Sequence, residues 1–329
     1  MANIRRQKWA IMLVPGFLIA QILAIRRLLV EFGPDAVHAH WIIPQGLAWR
    51  LAARRRRPPP VLMTSHGADL FALKGRAWQW LKQWVLQGAD KLTVVSEPMR
   101  ALLARTCRIP LDVEVEPMGI DLTLFHPSAE VPRSNTDVLF VGRLVEKKGL
   151  KHLIDAMAIL VVQHPGARLI IAGFGPEEAA RREQVQRLGI EANVTFLGSV
   201  ANDRLPDLYR RAAVFAAPFV EASNGDQEGL GLVTYEALAC GCPVVISEIA
   251  ATRQLEQGPG IRKTPPADAG ALAAAITAQL VGGETPSTME ANSLDWEERA
   301  RAYGAILKSI SSPQRRSQAS APSKSRKDA

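Results

Sequence analysis

The sequence predicts an α/β protein made of two doubly wound, Rossmann-like domains that face each other across a cleft. Wholly apolar stretches of four to six residues alternate with helix-length stretches, and the alternation runs through both halves of the chain. Apolar strands separated by helices belong to parallel sheets covered on both faces. A turn-rich segment, "GIDLTLFHPSAEVPRSNTD", divides the two sets. With 329 residues, 47% of them hydrophobic and 22% charged, the chain has the size and make-up of a soluble two-domain protein.

In the first half, "DAVHAH" reads as a strand, "GLAWRLAARRR" as a helix and "PVLMTSH" as a strand. A helix over 76–88, the strand "KLTVVS", a helix over 97–105 and the strand-like "DVEVEPM" follow. The second half repeats the scheme. Strand "VLFVG", helix 150–163, strand "RLIIAG", helix 176–188, strand "VTFLG", helix 203–212 and strand "VFAAP" lead to a polar loop, a helix within "EGLGLVTYEALACGCPVV", and strand "PVVIS". The divisions are a domain over 1–127, a linker over 128–136, a second domain over 137–285, a terminal helical region over 286–310 expected to pack toward the first domain, and a basic, Pro/Ser-rich tail over 311–329 expected to be disordered.

Ligands of doubly wound sheets bind at the carboxyl ends of the strands. After "VLFVG" stand Arg143, Lys148 and Gly149, cations and a glycine at a strand-to-helix turn. Cations oppose the dipole at a helix start, so their presence there suits an anion such as a phosphate. The alternative is a solvated charge run. Gly173 and Gly175 follow "RLIIA" as half of a dinucleotide fingerprint, which either a close ligand or a tight turn explains. Next comes Glu228-Gly229-Leu230-Gly231, then Glu236 inside an apolar helical row of Leu232, Val233, Ala239 and Cys240. An ionised acid in such a row needs a partner. Either an internal Arg or Lys supplies it, or a ligand diol does; the expectation taken here is the diol. Cations, glycines and two acids together suit a nucleotide diphosphate sugar, with phosphates on Arg143 and Lys148, ribose on Glu236 and hexose on Glu228.

These stretches resemble glycosyltransferase family 4, whose members are retaining, nucleotide-sugar-dependent enzymes of GT-B fold. "EGLGLVTYEALACGCPVV" matches the family's E-x7-E signature, "FVGRLVEKKGLKHLIDAM" its donor phosphate loop, and "LIIAGFGPEE" and "VTFLGSV" its nucleotide region. "DAVHAHW", "TSHGADLF", "VVSEPM" and "PPADAGALAAAI" also match, in order, over about 34–310. The resemblance implies a GT-B-like fold with an acceptor-side first domain and a donor-binding second domain. It implies Glu228 at the donor sugar, Glu236 at the ribose, Arg143 and Lys148 on the diphosphate, and His66 near the reacting sugar. Gly142, Gly173, Gly175, Gly229, Leu230 and Gly231 would line the donor, with Val200 beside the base. No metal or organic cofactor is expected, and His38 and His40 lack partners for a metal site. Family members open with a strand and a glycine-rich loop; this chain opens differently, so a shortened first domain is expected, through either a start upstream of residue 1 or a lost strand.

The implied activity is transfer of a hexose to a glycan or lipid-linked acceptor, in polysaccharide or envelope glycan synthesis. The rival is a nucleotide-sugar-binding homologue or partner subunit without turnover. A nicotinamide oxidoreductase rests on Gly173 and Gly175 alone, and nucleic-acid binding on the net charge of +8 alone. Three cysteines, Cys107, Cys240 and Cys242, give no disulfide framework, which suits the cytoplasm. The apolar run 9–25 follows Arg5, Arg6 and Lys8 without a cleavage site, and reads as a buried or membrane-surface helix or an inserted anchor. "RRRRPPP" and Trp78, Trp80, Trp84, Lys74, Arg76 and Lys82 suit an anionic membrane surface, or a lobe core beneath a solvated turn.

Overall fold

The computed structural model describes residues 12–53, 58–107 and 112–311. The Arg54–Arg57 run and the tail beyond residue 311 lie outside them, so the expectations placed there have no structural counterpart. Two parallel sheets form. The first contains β1 (Val37–His40), β2 (Val61–Ser65), β3 (Lys91–Val94) and β4 (Val113–Val115) in that order. The second contains β5 (Asp137–Val141), β6 (Arg168–Ala172), β7 (Val194–Gly198), β8 (Val214–Ala217), β9 (Val244–Ser247) and β10 (Ile261–Thr264). Its spatial order is β10-β9-β8-β5-β6-β7. The chain therefore winds outward from β5 in one direction, returns, and winds outward from β8 in the other. The crevice between the ends of β5 and β8 is the topological switch point.

Burial follows position. All residues of β5 and β8 are buried, as central strands require, whereas the edge strand β7 alternates between half-buried and exposed positions. Helix α6 (Leu150–Gln163) covers one face by projecting Leu150, Leu153, Ile154, Met157 and Leu160 against Leu272, Ala273 and Ile276 of α10 (Ala269–Gly282). Asp268 caps α10, accepting from the Ala271 N–H. Helix α7 (Glu178–Leu188) and the short α8 (Leu205–Arg211) connect the remaining strands, and α9 (Leu232–Ala239) leads into β9.

In the first lobe a π-turn over Ile42–Gly46 delays the first crossover helix to Leu47–Ala52, shorter than its sequence suggested. A one-turn helix, Ala68–Phe71, follows β2, then come Arg76–Leu86 and Glu97–Thr106. Met289–Asn292 and the long Trp296–Ser311 are the last helices among the described residues. Tyr303 of this last helix donates to the Glu116 carbonyl at 2.7 Å, and Arg299 pairs with the Glu116 carboxylate at 3.0 Å. The chain end is thus fastened to the first lobe.

The apolar amino-terminal segment forms a helix, Leu13–Glu31, long and apolar enough to cross a membrane by length and composition. It is not a buried helix: only Leu29 is buried, while Leu13, Phe17, Ile19 and Leu23 are more than half exposed. It touches the lobe near its end, where Arg26 donates to the Leu51 carbonyl. The tryptophan helix divides its residues. Trp78 and Trp80 are exposed, whereas Trp84 packs on the core beneath the Arg50 guanidinium. Lys82 is buried and donates to the Leu70 and Leu73 carbonyls, so it is a helix brace and not a headgroup cation.

Candidate active site

The turn after β5 brings the predicted cations to the switch point and assigns them different work. Glu146 accepts from the N–H and hydroxyl of Ser223, both at 2.8 Å. Lys147 donates to Asp226 and to the Gln227 carbonyl. These two residues hold the loop after β8 against the turn. Lys148 points the other way. Its ammonium lies 2.8 Å from Glu228 Oε2 and 4.9 Å from the centre of the Phe219 ring. Arg143 is exposed and makes no side-chain bond among the described residues, which leaves its guanidinium available at the crevice.

Glu228 is half-buried, with its Oε2 atom out of contact with solvent. Burial alone would raise its pKa, but the charges of Lys148 and Lys147 and the Gly229 N–H outweigh it and hold the carboxyl below its usual range. Oε2 accepts no conventional hydrogen bond beyond its ion pair. A buried carboxylate with acceptor capacity left over is suited to a hydroxyl-bearing ligand.

The other acid has a partner that sequence reasoning missed. Tyr209, on α8, donates its hydroxyl to Glu236 Oε2 at 2.9 Å. Neither an internal cation nor a diol alone explains the acid: a fully buried phenol holds one oxygen of a half-buried side chain. Desolvation raises the Glu236 pKa, against the Tyr209 bond and the Lys148 charge. No spacing rule links two residues 27 apart, so only the fold reveals this pair. Helix α9 starts at Gly231, which is left-handed at φ 76°, and its first turn carries no acidic side chain. The positive end of the helix is open to an anion.

The remaining glycines serve the chain itself. A β-carbon at Gly173 would lie 1.9 Å from the Gly142 carbonyl oxygen, and one at Gly175 would lie 2.4 Å from that of Leu144. A β-carbon at Gly149, with φ +70°, would lie 1.7 Å from the Pro218 oxygen. Backbone meets backbone at all three, and no ligand is needed to explain them. Val200 is half-buried and packs on the core at the edge of this region. Leu230 is buried beneath it.

The first lobe reaches the same point through the turn after β2. A β-carbon at Gly229 would fall 2.8 Å from the His66 carbonyl oxygen, so the two lobes touch where Glu228 begins its loop. His66 Nε2 lies 2.9 Å from His40 Nδ1, and the rings are 5.1 Å apart and nearly parallel. His38 lies beyond His40, its ring centre 4.0 Å away and tilted by 36°, and bonds Thr64. Burial, then the neighbouring imidazoles, lowers the pKa of His38 and of His66 to about 4, and burial lowers that of His40. All three are neutral at pH 7, and one ring of the His40–His66 pair donates to the other. Trp41, between the cluster and the π-turn, has φ 78°, a costly conformation for a residue with a side chain. Among the described residues no group of three His, Cys, Asp or Glu side chains is arranged to hold a metal ion.

The sequence model for "Glycosyl transferases group 1" matches residues 124–296, and that for "Glycosyltransferase Family 4" matches residues 2–124. The chain belongs to glycosyltransferase family 4. Its relatives include the GDP-mannose-dependent alpha-(1-6)-phosphatidylinositol monomannoside mannosyltransferase of Mycobacterium tuberculosis, 32% identical over 67% of this chain and 60% of that one. Another is the D-inositol 3-phosphate glycosyltransferase of Rhodococcus erythropolis, 29% identical over 80% of this chain and 65% of that one. This family 4 chain thus spans less than two thirds of either relative. Among solved structures, sucrose-phosphate synthase from Thermosynechococcus elongatus superposes with a TM-score of 0.74 at 26% identity, covering 88% of this chain and 77% of that one. Anabaena HepE in complex with UDP and glucose gives 0.73 at 22% identity, covering 88% and 81%. The fold is GT-B.

Proposed function

We propose that the protein is a retaining glycosyltransferase that moves a hexose from a nucleotide diphosphate sugar to a hydroxyl of a glycan or lipid-linked acceptor. The observation that carries this reading is the Lys148–Glu228 pair, buried at the switch point beside Glu236 and in contact with the His66 turn. Lys148, Arg143 and the start of α9 suit the diphosphate, Glu236 the ribose and Glu228 the hexose hydroxyls. In the transfer, the acceptor oxygen bonds to the sugar's anomeric carbon from the face on which the diphosphate departs. The bond from that carbon to the β-phosphate oxygen breaks, its electron pair leaves with the nucleoside diphosphate, and the acceptor proton passes to the departing phosphate. Positive charge fixed where negative charge develops lowers the barrier. His66 orients the donor or acceptor. No metal or organic cofactor takes part in this reading.

The GDP-mannose dependence of the mycobacterial relative supports a donor such as GDP-mannose, and HepE supports the UDP series. The exposed apolar helix Leu13–Glu31, with Trp78 and Trp80, supports attachment to an anionic membrane from the cytoplasm, with envelope glycan or polysaccharide synthesis as the context. The test is a thermal-shift panel of GDP-, UDP- and ADP-sugars followed by nucleotide release from the best binder, with and without EDTA. A donor at 100 times its dissociation constant should stabilise by about 2.7 kcal/mol. Binding without release would favour a non-catalytic homologue, and no binding at all would end the proposal.

A further inference from the structure

A cavity of about 890 Å³ opens between the lobes, and none of Arg143, Lys148 or Glu236 lines it. It is a separate compartment from the donor crevice. Its wall includes Gln227, the residue before Glu228, and Phe71, whose ring packs beside Gly67 at the interlobe contact. Its wall therefore comes within one residue of Glu228 along the chain.

Two features define what it can hold. Leu70, Phe71 and Leu102 give one side an apolar surface. Arg105, from the first lobe, and Arg253, from the second, also line it, and neither guanidinium has a side-chain hydrogen bond or ion pair among the described residues. Arg105 stands in the last turn of its helix, where the helix dipole alone accounts for a cation. Arg253 has no such explanation, because it follows a three-residue turn. Exposed arginines gain little from solvent, but two free forks bordering one cavity match a phosphate's oxygens. The cavity's other cations are occupied: Lys82 serves two carbonyls, and Lys74 pairs with Glu221.

We propose that this cavity binds the acceptor through a phosphate held between Arg105 and Arg253, with the hydroxyl to be glycosylated directed toward Glu228. The proposal rests on the donor-site reading above. The phosphate belongs either to a soluble phosphomonoester or to a lipid headgroup, and the same two arginines serve both.

The experiment uses the full chain with its donor site saturated by GDP or UDP, whichever binds, so that phosphate probes cannot occupy that site. Calorimetry then measures myo-inositol 1-phosphate, uncharged myo-inositol, and vesicles of phosphatidylinositol diluted in phosphatidylcholine against pure phosphatidylcholine vesicles. At least one phosphate-bearing probe should bind tenfold or more tightly than its control. The variant R105Q/R253Q should lose that difference while its nucleotide affinity stays unchanged. A gain confined to the soluble probe assigns a free phosphate, and one confined to vesicles assigns a headgroup. Equal binding of probes and controls, or a phosphate preference that survives in the double variant with nucleotide affinity intact, overturns the acceptor assignment alone. Failure of every nucleotide to bind the unaltered chain removes the donor reading, and this assignment falls with it.

Discussion

The two lobes touch at the Glu228 loop, and each is held together by different means. On the donor side, backbone is locked to backbone: Gly149 under Pro218, Gly173 against Gly142, Gly175 against Leu144, with Glu146 and Lys147 tying the loop after β8. On the other side, a column of neutral imidazoles lies behind a single glycine contact, next to a left-handed tryptophan. One side is braced and charged; the other is stacked and uncharged. A charged, rigid wall suits a polyanionic donor, whereas neutral groups near the reacting carbon can hydrogen-bond without competing for the phosphates.

The largest effect should come from the braced side. Lys148→Ala takes the nearer of two cations from Glu228. Breaking a fully buried pair costs about 3–5 kcal/mol, and somewhat less is expected here because the two side chains keep 14% and 15% exposure. Urea denaturation should show a loss approaching that range, and nucleotide-sugar turnover should fall by roughly 100-fold or more. Adding Glu228→Gln should recover stability and not turnover. A stable, active Lys148→Ala protein would remove the distinction between the two sides.

Gly149→Ala and Gly229→Ala come next and should part company. The first forces a β-carbon into the Pro218 carbonyl on a left-handed backbone, where the backbone conformation alone costs about 1–3 kcal/mol. Its Tm should fall. The second crowds only the His66 carbonyl across the cleft. It should leave Tm nearly unchanged and raise KM, because the lobes must separate slightly.

Acid should loosen the stacked side first. His38 and His66 titrate near 4 in the folded chain, below an ordinary histidine near 6.5. Between those values the unfolded chain binds more protons, so their contribution is complete above 6.5 and is lost as pH falls toward 4. Glu228, with its lowered pKa, gives way only below the ordinary glutamate range. Amide exchange should therefore rise in β1 and β2 at about pH 5, while β5 and β8 stay protected. Glu236 has the opposite sign: its raised pKa means that stability falls as pH rises from the ordinary glutamate range through its folded-state value. Glu236→Gln should stabilise the fold at pH 7 while weakening nucleotide binding.

The smallest effect belongs to Lys74→Ala. It breaks the exposed interlobe pair with Glu221, worth at most about 1 kcal/mol and less at high salt. A larger change would mean that the lobes are fastened by more than the glycine contact.

Periodicity made the central elements legible. The helix over 150–163 has the boundaries its apolar repeat implied, and β5 and β8 are the apolar runs that preceded the predicted loops. Strand β10, "IRKT", has no continuous apolar run and escaped notice at the sheet edge. Pro206 and a three-residue turn moved the start of α8 to Leu205. In the candidate site, residue types at strand ends pointed to Glu228, Glu236, Arg143 and Lys148, and the family resemblance to His66. Their partners did not announce themselves. Tyr209 on Glu236 and His40 on His66 are side-chain bonds across 27 and 26 residues, which local pattern does not encode. Lys147 and Lys148 are adjacent and look alike in sequence. Only the course of the loop after β8 separates the strut, Lys147, from the cation paired with Glu228.

Tyr303 and Arg299 belong to the last helix yet secure Glu116 in the lobe made first. Cutting the gene at the linker would therefore not yield two finished halves: the early half would lack its clasp. During synthesis Glu116 stays unclasped until Tyr303 and Arg299 have been made.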